Sequence, residues 1–132
     1  MLKEIVLNTD SFMSSVPKQE RKKYGQFFTN ETTAIFMASL FNFDLSKSNI
    51  SILDAGAGTG ILSTAVIDRL ISEGYNGKIH LTCYETDKLV LPLLELNLKI
   101  LSSKYGIDYT IIHKNYITSQ SFDSRSLFPE EK

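Results

Sequence analysis

The chain has 132 residues, a formal net charge of −1 and an isoelectric point of about 6.1. This near-neutral balance gives no overall signature of polyanion binding, so a nucleic-acid role would need a local basic patch. The single cysteine, Cys83, excludes an internal disulfide and a cysteine-rich metal site. No apolar run approaches the roughly 18 residues of a membrane span, and the N-terminus does not resemble a signal peptide. We therefore expect a soluble, cytoplasmic domain without a metal site.

The N-terminal part of the chain contains one helix candidate and one basic cluster. Residues 1–16 carry scattered apolar side chains without a firm period, which predicts either a short helix or an arm laid over the domain. Pro17 then begins a segment in which proline suits a first helical turn. This segment holds the only basic cluster in the sequence: Lys18, Arg21, Lys22 and Lys23. Such a cluster is typical of a solvated helix face, and the alternative is contact with phosphates.

Two adjacent aromatic residues, Phe27 and Phe28, precede a predicted helix over residues 31–41. The helix is indicated by apolar residues at helical spacing: Ile35, Phe36, Met37, Leu40 and Phe41. Thr29 or Asn30 is its expected N-cap. The two aromatic residues are most simply core residues. Because adjacent side chains do not easily bury on one face, one of them is a candidate for lining a pocket.

The stretch from Ile50 to Gly60 organises the rest of the chain. A short apolar run ends in Asp54, and three alternating glycines follow. This pattern predicts a strand over 50–54, a glycine turn, and a helix over 60–73. Glycine is needed where the backbone turns tightly with positive φ or where a ligand approaches closely. The helix N-terminus behind the turn is expected to present unpaired N–H groups to an anionic or polar ligand.

The remaining predicted elements are a strand over 78–84, a helix over 88–104, a strand over 108–113 and a polar tail over 119–132. Pro92 lies deep in its helix and predicts a kink or a late helix start. The β-α-β-α-β order predicts an open, mostly parallel α/β sheet with flanking helices, in which ligands bind outside the carboxyl ends of the strands. Those ends carry three polar clusters: Asp54 to Gly60, Glu85 to Asp87, and Asn115 with Tyr116. Their convergence predicts a ligand site at one edge of the sheet.

The spacing of the glycines helps to identify the ligand. A dinucleotide fingerprint requires a sixth-position glycine, where this chain has Ile61 or Ser63, so an NAD-dependent oxidoreductase is disfavoured. A carboxylate at Asp54 would resist a pyrophosphate but can accept hydrogen bonds from an ammonium group. Glu85 is suited to two ribose hydroxyls, one on each oxygen. This combination favours S-adenosylmethionine. The alternatives are that Asp54 is a capping acid and Glu85 a solvated strand end.

Three segments together resemble a known family: Gly25-Gln26-Phe27-Phe28-Thr29, Ile52-Leu53-Asp54-Ala55-Gly56-Ala57-Gly58-Thr59-Gly60, and Tyr84-Glu85-Thr86-Asp87. They look like the N-terminal part of the γ-type N6-adenine DNA methyltransferases of restriction–modification systems. The glycine motif indicates a class I S-adenosylmethionine-dependent methyltransferase with a Rossmann-like fold, and the block at Gly25 is the more specific motif. The resemblance implies S-adenosylmethionine as cofactor and double-stranded DNA as substrate.

By this resemblance, the cofactor-binding residues are Phe27, Phe28, Thr29, Asp54, Ala55, Gly56, Gly58, Gly60, Glu85, Thr86, Asn115 and Tyr116. The aromatic block and Thr29 would cover the methionine end, and the stretch from Asp54 would hold its amine and carboxylate. Glu85 would bind the ribose, and Thr86 would lie beside the adenine ring. Asn115 and Tyr116 would meet the adenine amine and ring. The family usually has aspartate in place of Asn115 and proline in place of Asn30.

The family's catalytic motif, Asn/Asp-Pro-Pro-Tyr/Phe, is absent because the three prolines, Pro17, Pro92 and Pro129, are not adjacent. We therefore expect the N-terminal fragment of a larger methyltransferase, with no catalytic residue and no methyl transfer on its own. Its expected parts are an arm or helix over 1–24, a cofactor-binding subdomain over 25–118 and the tail over 119–132. A truncated sheet exposes an edge or an apolar face, so the fragment is expected to self-associate.

Two other interpretations remain open from the sequence. One is a fragment of a different class I methyltransferase that acts on RNA, protein or a small molecule, against which the block at Gly25 argues. The other is a non-catalytic module that binds S-adenosylmethionine or a nucleotide. An Asn-Pro-Pro-Tyr sequence further along the gene would exclude this last interpretation.

Overall fold

A computed structural model of the chain describes residues 1–21 and 28–119. The described elements, in chain order, are α1 (Leu2–Ser15), α2 (Glu31–Ser39), β1 (Asn49–Asp54), α3 (Ile61–Ser72), β2 (Lys78–Tyr84), α4 (Leu91–Tyr105), β3 (Asp108–Ile112) and α5 (Tyr116–Ser119). Residues 18–21 are also helical. The polar tail from residue 120 onward and the segment 22–27 lie outside the described residues.

The three strands form one parallel sheet in the order β1-β2-β3. The predicted parallel sheet is therefore confirmed, and the bounds of the three strands agree with the sequence to within one residue. Ile52 of β1 lies opposite Leu81 of β2, which lies opposite Tyr109 of β3. Since β2 has a strand on both sides, its alternate residues Ile79, Leu81 and Cys83 are almost fully buried. This face of the sheet supports the main core.

The main core lies between that face of the sheet and helices α3 and α4. Its fully buried members include Ile67 and Leu70 of α3, and Leu94 and Leu98 of α4. In the described part of the chain the opposite face of the sheet is exposed, and it carries Ser51, His80, Thr110 and a half-exposed Leu53. One covered face and one open face follow from the placement of the described helices.

Helix α1 is a regular helix rather than an extended arm. Ile5 is fully buried and packs with Ala34 and Ala38 of α2 and with Ala65 and Val66 of α3. The small alanine side chains allow the three helices to approach closely. The backbone N–H of Leu2 also donates to Asp68 Oδ2 on α3 at 2.9 Å. Helix α1 therefore belongs to the same packed layer as α2 and α3.

Helix α2 forms where it was predicted, but it buries different residues. Asn30 is its N-cap, as one of the two predicted possibilities, and its Oδ1 accepts a hydrogen bond from the Thr33 N–H at 2.8 Å. The helix buries Ala34 and Ala38 against α1 and α3. The large apolar side chains that predicted it are exposed instead, between 38% for Met37 and 67% for Leu40. Helical spacing was a correct signal for the helix but not for its buried face.

The two crossover helices follow the sequence closely. Helix α3 begins at Ile61 and ends at Ser72, one residue inside the predicted bounds at each end. Helix α4 begins at Leu91, so that Pro92 falls in its first turn, where a proline needs no N–H partner. The late helix start is therefore the correct alternative. Helix α4 ends at Tyr105, and its C-cap residue Gly106 adopts a left-handed conformation and donates its N–H to the Ser102 carbonyl at 2.7 Å.

Candidate functional site

Two recesses lie at the carboxyl ends of the strands, one on each side of the glycine loop that follows β1. The Asp54 recess, of about 50 Å³, is lined by Phe28, Thr29, Asp54, Gly56, Ala57, Gly58, Thr59, Ile61 and Leu62. The Glu85 recess, of about 120 Å³, is lined by Ala55, Gly56, Tyr84, Glu85, Thr86, Lys114 and Asn115. Gly56 lines both recesses. The predicted convergence of the three polar strand ends on one edge is confirmed.

The glycine loop is tight and is fastened to the end of β2. Gly58 and Gly60 have φ angles of +56° and +91°, in the left-handed region that favours glycine. The Ala57 N–H donates to the Tyr84 carbonyl at 3.0 Å, and the Gly58 N–H donates to Glu85 Oε1 at 2.7 Å. The loop's own N–H groups are thus largely used within the protein. The donors near the Asp54 recess belong instead to the first turn of α3, where Ile61 and Leu62 line it.

Asp54 is held in place and still has acceptor capacity. Its Oδ2 accepts a hydrogen bond from the Ser63 hydroxyl at 2.6 Å, and its Oδ1 accepts a longer one from the Gly56 N–H at 3.3 Å. Asp54 therefore does cap the loop, as the alternative interpretation proposed. Each carboxylate oxygen has about two acceptor sites, so one site on each oxygen remains for a further donor. The capping and ligand-binding roles of Asp54 are compatible.

Glu85 is not a solvated strand end, because its carboxylate accepts three backbone hydrogen bonds. Oε1 accepts from the Gly58 N–H, while Oε2 accepts from the N–H groups of Thr86 and Asp87 at 3.0 and 2.9 Å. The two acceptor sites of Oε2 are both used, and Oε1 has one left. In this conformation the carboxylate can accept one additional hydroxyl hydrogen bond. Binding both ribose hydroxyls would require one of the three backbone hydrogen bonds to be released.

The aromatic block contributes Phe28 and Thr29 to the Asp54 recess, and Phe27 lies outside the described residues. A Cβ atom on Gly58 would lie 3.5 Å from the Phe28 ring, so this ring packs directly over the loop. Phe28 also packs against Phe12 of α1, with ring centroids 6.1 Å apart. The prediction that one aromatic residue lines a pocket is met by Phe28.

The Glu85 recess contains most of the residues predicted around it. Ala55, Thr86 and Asn115 line it. The Asn115 Oδ1 atom also accepts a hydrogen bond from the Thr118 N–H at 3.2 Å, at the start of the short helix α5. Tyr116 does not line the recess and packs edge-on against Tyr84, with ring centroids 5.0 Å apart. Gly60 likewise lies behind the loop, where it is the buried N-cap residue of α3.

Sequence reasoning missed several lining residues. Tyr84 and Lys114 line the Glu85 recess, and Thr59 and Leu62 line the Asp54 recess. Tyr84 and Lys114 each lie one residue before a predicted site residue at a strand end, and that position was the available signal. Leu62 lies in the first turn of α3, and the sequence offered no signal that separates a pocket-lining leucine from a core leucine at that position.

The basic cluster is only partly described. Arg21 donates from Nε to the Val16 carbonyl at 3.1 Å and from Nη2 to the Ser14 carbonyl at 3.2 Å. The Arg21 guanidinium therefore satisfies carbonyl groups at the C-terminal end of α1. Lys18 is exposed. Lys22 and Lys23 lie outside the described residues.

A groove of about 580 Å³ lies away from the glycine loop, between α1, α2 and α3. It is lined by Met1, Leu2, Lys3, Glu31, Ile35, Ala38, Ser39, Ala65, Asp68, Arg69 and Ser72. Among residues 1–21 and 28–119 there is no cluster of three or more His, Cys, Asp or Glu side chains that could hold a metal ion. None of the helices described is long and apolar enough to cross a membrane.

Comparison with known proteins relates the chain to type II methyltransferases by sequence. The chain is 37% identical over 117 residues to the type II methyltransferase M.BsuBI of Bacillus subtilis, a match covering 86% of this chain and 23% of M.BsuBI. It is 33% identical over 78 residues to the type II methyltransferase M.PstI of Providencia stuartii, covering 59% of this chain and 15% of M.PstI. This chain is a homologue of the type II methyltransferases. No protein-family model matches it.

The type II methyltransferase relationship covers the candidate site. Any match over 86% of the chain includes its central residues, and therefore both Asp54 and Glu85. The chain spans less than a quarter of the length of either relative. In its fold the chain resembles the crystal structure of a protein assigned as a class I S-adenosylmethionine-dependent methyltransferase from Listeria monocytogenes. The TM-score is 0.59 at 20% identity, over 92% of this chain and 36% of that one. The predicted class I methyltransferase fold is confirmed.

Proposed function

We propose that this chain is the S-adenosylmethionine-binding part of a site-specific N6-adenine DNA methyltransferase of the restriction–modification type. One observation carries the proposal. Two recesses flank the glycine loop, one beside Asp54 and the other beside Glu85, in a chain homologous to type II methyltransferases. The recesses are smaller than the roughly 300–1,000 Å³ of sites that enclose a drug-sized ligand. We therefore expect affinity below that of a site enclosed on all sides.

The residues at the two recesses fit the chemistry of S-adenosylmethionine. The free acceptor sites of Asp54 suit the ammonium group of the methionine end, which Phe28 and Thr29 would cover, together with Phe27. The remaining acceptor site of Glu85 Oε1 suits one ribose hydroxyl. Thr86 would lie beside the adenine ring, and Asn115 would meet its amine, whereas Tyr116 packs against Tyr84 and does not line the recess. When bound, the cofactor supplies an activated methyl group on its sulfonium sulfur.

The substrate assignment rests on the resemblance of the Gly25–Thr29 block and on the type II methyltransferase relatives. In the parent enzyme the target adenine would be taken out of the duplex, and the bound cofactor would supply the methyl group for its exocyclic amine. Residues 1–132 by themselves are proposed to bind the cofactor without transferring the methyl group, since they contain no Pro-Pro motif. Lys18, Lys22 and Lys23 are proposed phosphate contacts, whereas Arg21 has a structural role at the end of α1.

Calorimetric titration with S-adenosylhomocysteine tests the cofactor assignment. We expect saturable binding by the wild-type chain and at least about tenfold weaker binding by Asp54→Ala, because a hydrogen bond to a charged group is worth about 1.5–3 kcal/mol. Asp108→Ala is the matched control, because Asp108 is an exposed acid at the opposite end of the sheet. Absence of binding at millimolar ligand, or equal binding by Asp54→Ala, would contradict the assignment.

Two further measurements test the substrate and the lack of transfer. Incubation of the 132-residue chain with methyl-labelled S-adenosylmethionine and DNA is expected to leave the DNA unlabelled, and label in the DNA would contradict this part of the proposal. An Asn-Pro-Pro-Tyr sequence in the codons that follow Lys132 would support the adenine-specific DNA methyltransferase. A motif of a different methyltransferase class at that place would exclude it.

A further inference from the structure

The glycine loop is held from behind by a set of hydrogen-bonded polar side chains, which we call the Thr59 anchor. It consists of Asn8 and Thr9 on α1, Thr59 in the loop and Asn97 on α4. Asn97 is fully buried, and Thr9 and Thr59 are 3% and 2% exposed. These residues are 50 positions (Thr9 to Thr59) and 38 positions (Asn97 to Thr59) apart in the chain. They join two separate helices to one residue of the loop.

The direction of every hydrogen bond in the Thr59 anchor follows from its chemistry. The Thr59 carbonyl can only accept, so the Asn97 atom that lies 2.8 Å from it is the donor Nδ2. Asn97 Oδ1 then faces Asn8, whose Nδ2 donates to it at 2.9 Å. The single hydroxyl hydrogen of Thr9 is donated to the Ile5 carbonyl at 2.9 Å, so Thr59 must donate its own hydroxyl hydrogen to Thr9, at 2.7 Å. Both polar groups of Thr59 beyond its N–H are therefore committed.

Asn97 lies on the buried face of α4, where the other residues are apolar. Its neighbours on the buried face, Leu94, Leu98 and Leu101, are all fully buried. A buried amide is unfavourable unless its hydrogen bonds are made, and it then specifies one arrangement of its partners. No buried side-chain nitrogen or oxygen within the described residues lacks a partner. Both polar atoms of the buried amide thus have a partner: Nδ2 donates to the Thr59 carbonyl, and Oδ1 accepts from Asn8.

We propose that Asn97 and Thr9 are positioning residues for the cofactor site, and that they act through Thr59. This inference rests on the proposed function, because Thr59 lines the Asp54 recess and lies between the two left-handed glycines. With the Thr59 carbonyl and hydroxyl fixed, the loop is held in the conformation that places the Gly58 N–H against Glu85. Helix α1 thereby contributes to the geometry of the site without lining either recess.

Two variants break the Thr59 anchor at different points. Asn97→Leu removes the amide while keeping the same branched arrangement of side-chain heavy atoms, and Thr9→Val removes one hydroxyl with almost no change in shape. Leu101→Ala is the matched control. Leu101 is fully buried on α4 one turn after Asn97, and its side chain makes no hydrogen bond to the Thr59 anchor. Ile67→Val is a second, milder control in the main core. These controls separate loss of stability from loss of loop geometry.

The first readout is amide hydrogen exchange at Gly58 and Gly60 without ligand, since both N–H groups are hydrogen-bonded in the loop. We expect about tenfold faster exchange at these two amides in Asn97→Leu and Thr9→Val, and no selective change there in the controls. The second readout is the affinity for S-adenosylhomocysteine below the unfolding transition. We expect it to fall at least about fivefold in the two anchor variants, relative to controls of equal lost stability.

The outcomes are distinguishable. If Asn97→Leu and Thr9→Val behave like Leu101→Ala in both readouts, the positioning role is wrong. Thr9→Val should fold even if Asn97→Leu does not. In that case Thr9→Val alone tests the positioning role. If the wild-type chain does not bind S-adenosylhomocysteine, the proposed function fails. If exchange at Gly58 and Gly60 were then unchanged in Asn97→Leu and Thr9→Val, the anchor would be overturned as well. Selectively faster exchange at these amides would support the role of the anchor in fixing the loop.

Discussion

The hydrogen bonds of Glu85 lead to a specific prediction. Its single carboxylate accepts from the glycine loop and from the start of the loop that follows β2. Glu85→Gln keeps the shape of the side chain but leaves one acceptor oxygen in place of two. That oxygen can accept either from Gly58 or from the pair Thr86 and Asp87. At whichever of these two contacts the oxygen does not serve, the new NH₂ group would face an N–H donor. The substitution must therefore break the loop contact or the strand-end contacts.

The expected cost follows from the burial of these contacts. A buried donor left without a partner costs about 1–3 kcal/mol, and the hydrogen bonds from Gly58 and Asp87 are only partly buried. Since water can replace part of the lost interaction, we expect Glu85→Gln to lower the free energy of unfolding by about 1–2 kcal/mol. It should also weaken binding of S-adenosylhomocysteine, because the acceptor for a ribose hydroxyl is lost or displaced.

Urea unfolding followed by far-ultraviolet circular dichroism measures the change in the free energy of unfolding. Glu95→Gln is the matched control, because Glu95 is exposed on α4 and its substitution should change that free energy by less than about 0.5 kcal/mol. If Glu85→Gln were as stable as this control, within about 0.5 kcal/mol, the three-bond role of Glu85 would be refuted.

Two other predictions concern the same edge of the sheet. Gly56→Ala should keep the stability of the wild type within about 0.5 kcal/mol in urea unfolding, because a Cβ there meets nothing within 4 Å and φ is not positive. It should nevertheless weaken binding of S-adenosylhomocysteine, since the added methyl group would stand between the two recesses; unchanged affinity would place the cofactor elsewhere. Burial, and secondarily the Asp54 carboxylate, raise the pKa of the Cys83 thiol to about 12. Cys83 should therefore stay protonated and unreactive towards a disulfide reagent at pH 8 until the chain is unfolded in urea, and rapid labelling of the folded chain would contradict its burial.

The fold could be predicted from the sequence wherever the residues that begin or end an element agree with the apolar pattern between them. Asp54 and the glycines after it located the end of β1 and the start of α3, and Gly106 located the end of α4. Helix α2 shows the limit of such patterns. Its large residues satisfied the helical period, but close contact with α1 and α3 admits only small side chains, so Ala34 and Ala38 are buried instead.

The candidate site was predictable in its location but not in its hydrogen bonding. The carboxyl ends of parallel strands must meet at one edge, which brought Asp54 and Glu85 to the same loop. The three backbone donors to Glu85 depend on how the loop folds back onto β2, and residue spacing carries no signal for this. The Thr59 anchor could not be predicted either, because Asn97 lies in a leucine-rich helix and Thr9 in a segment without a firm apolar period. Neither residue has a local sequence pattern that joins it to the loop.

The most direct test of the central claim is a nuclear magnetic resonance titration of the chain with S-adenosylhomocysteine, which locates the cofactor on the molecule. The amide signals that should shift belong to Ala55–Gly60, Glu85–Asp87 and Asn115, around the two recesses. The signals of Ile35, Ala38 and Ala65, in the larger groove between α1, α2 and α3, should stay unchanged. Shifts confined to that groove, or no shifts at saturating ligand, would contradict cofactor binding at the glycine loop.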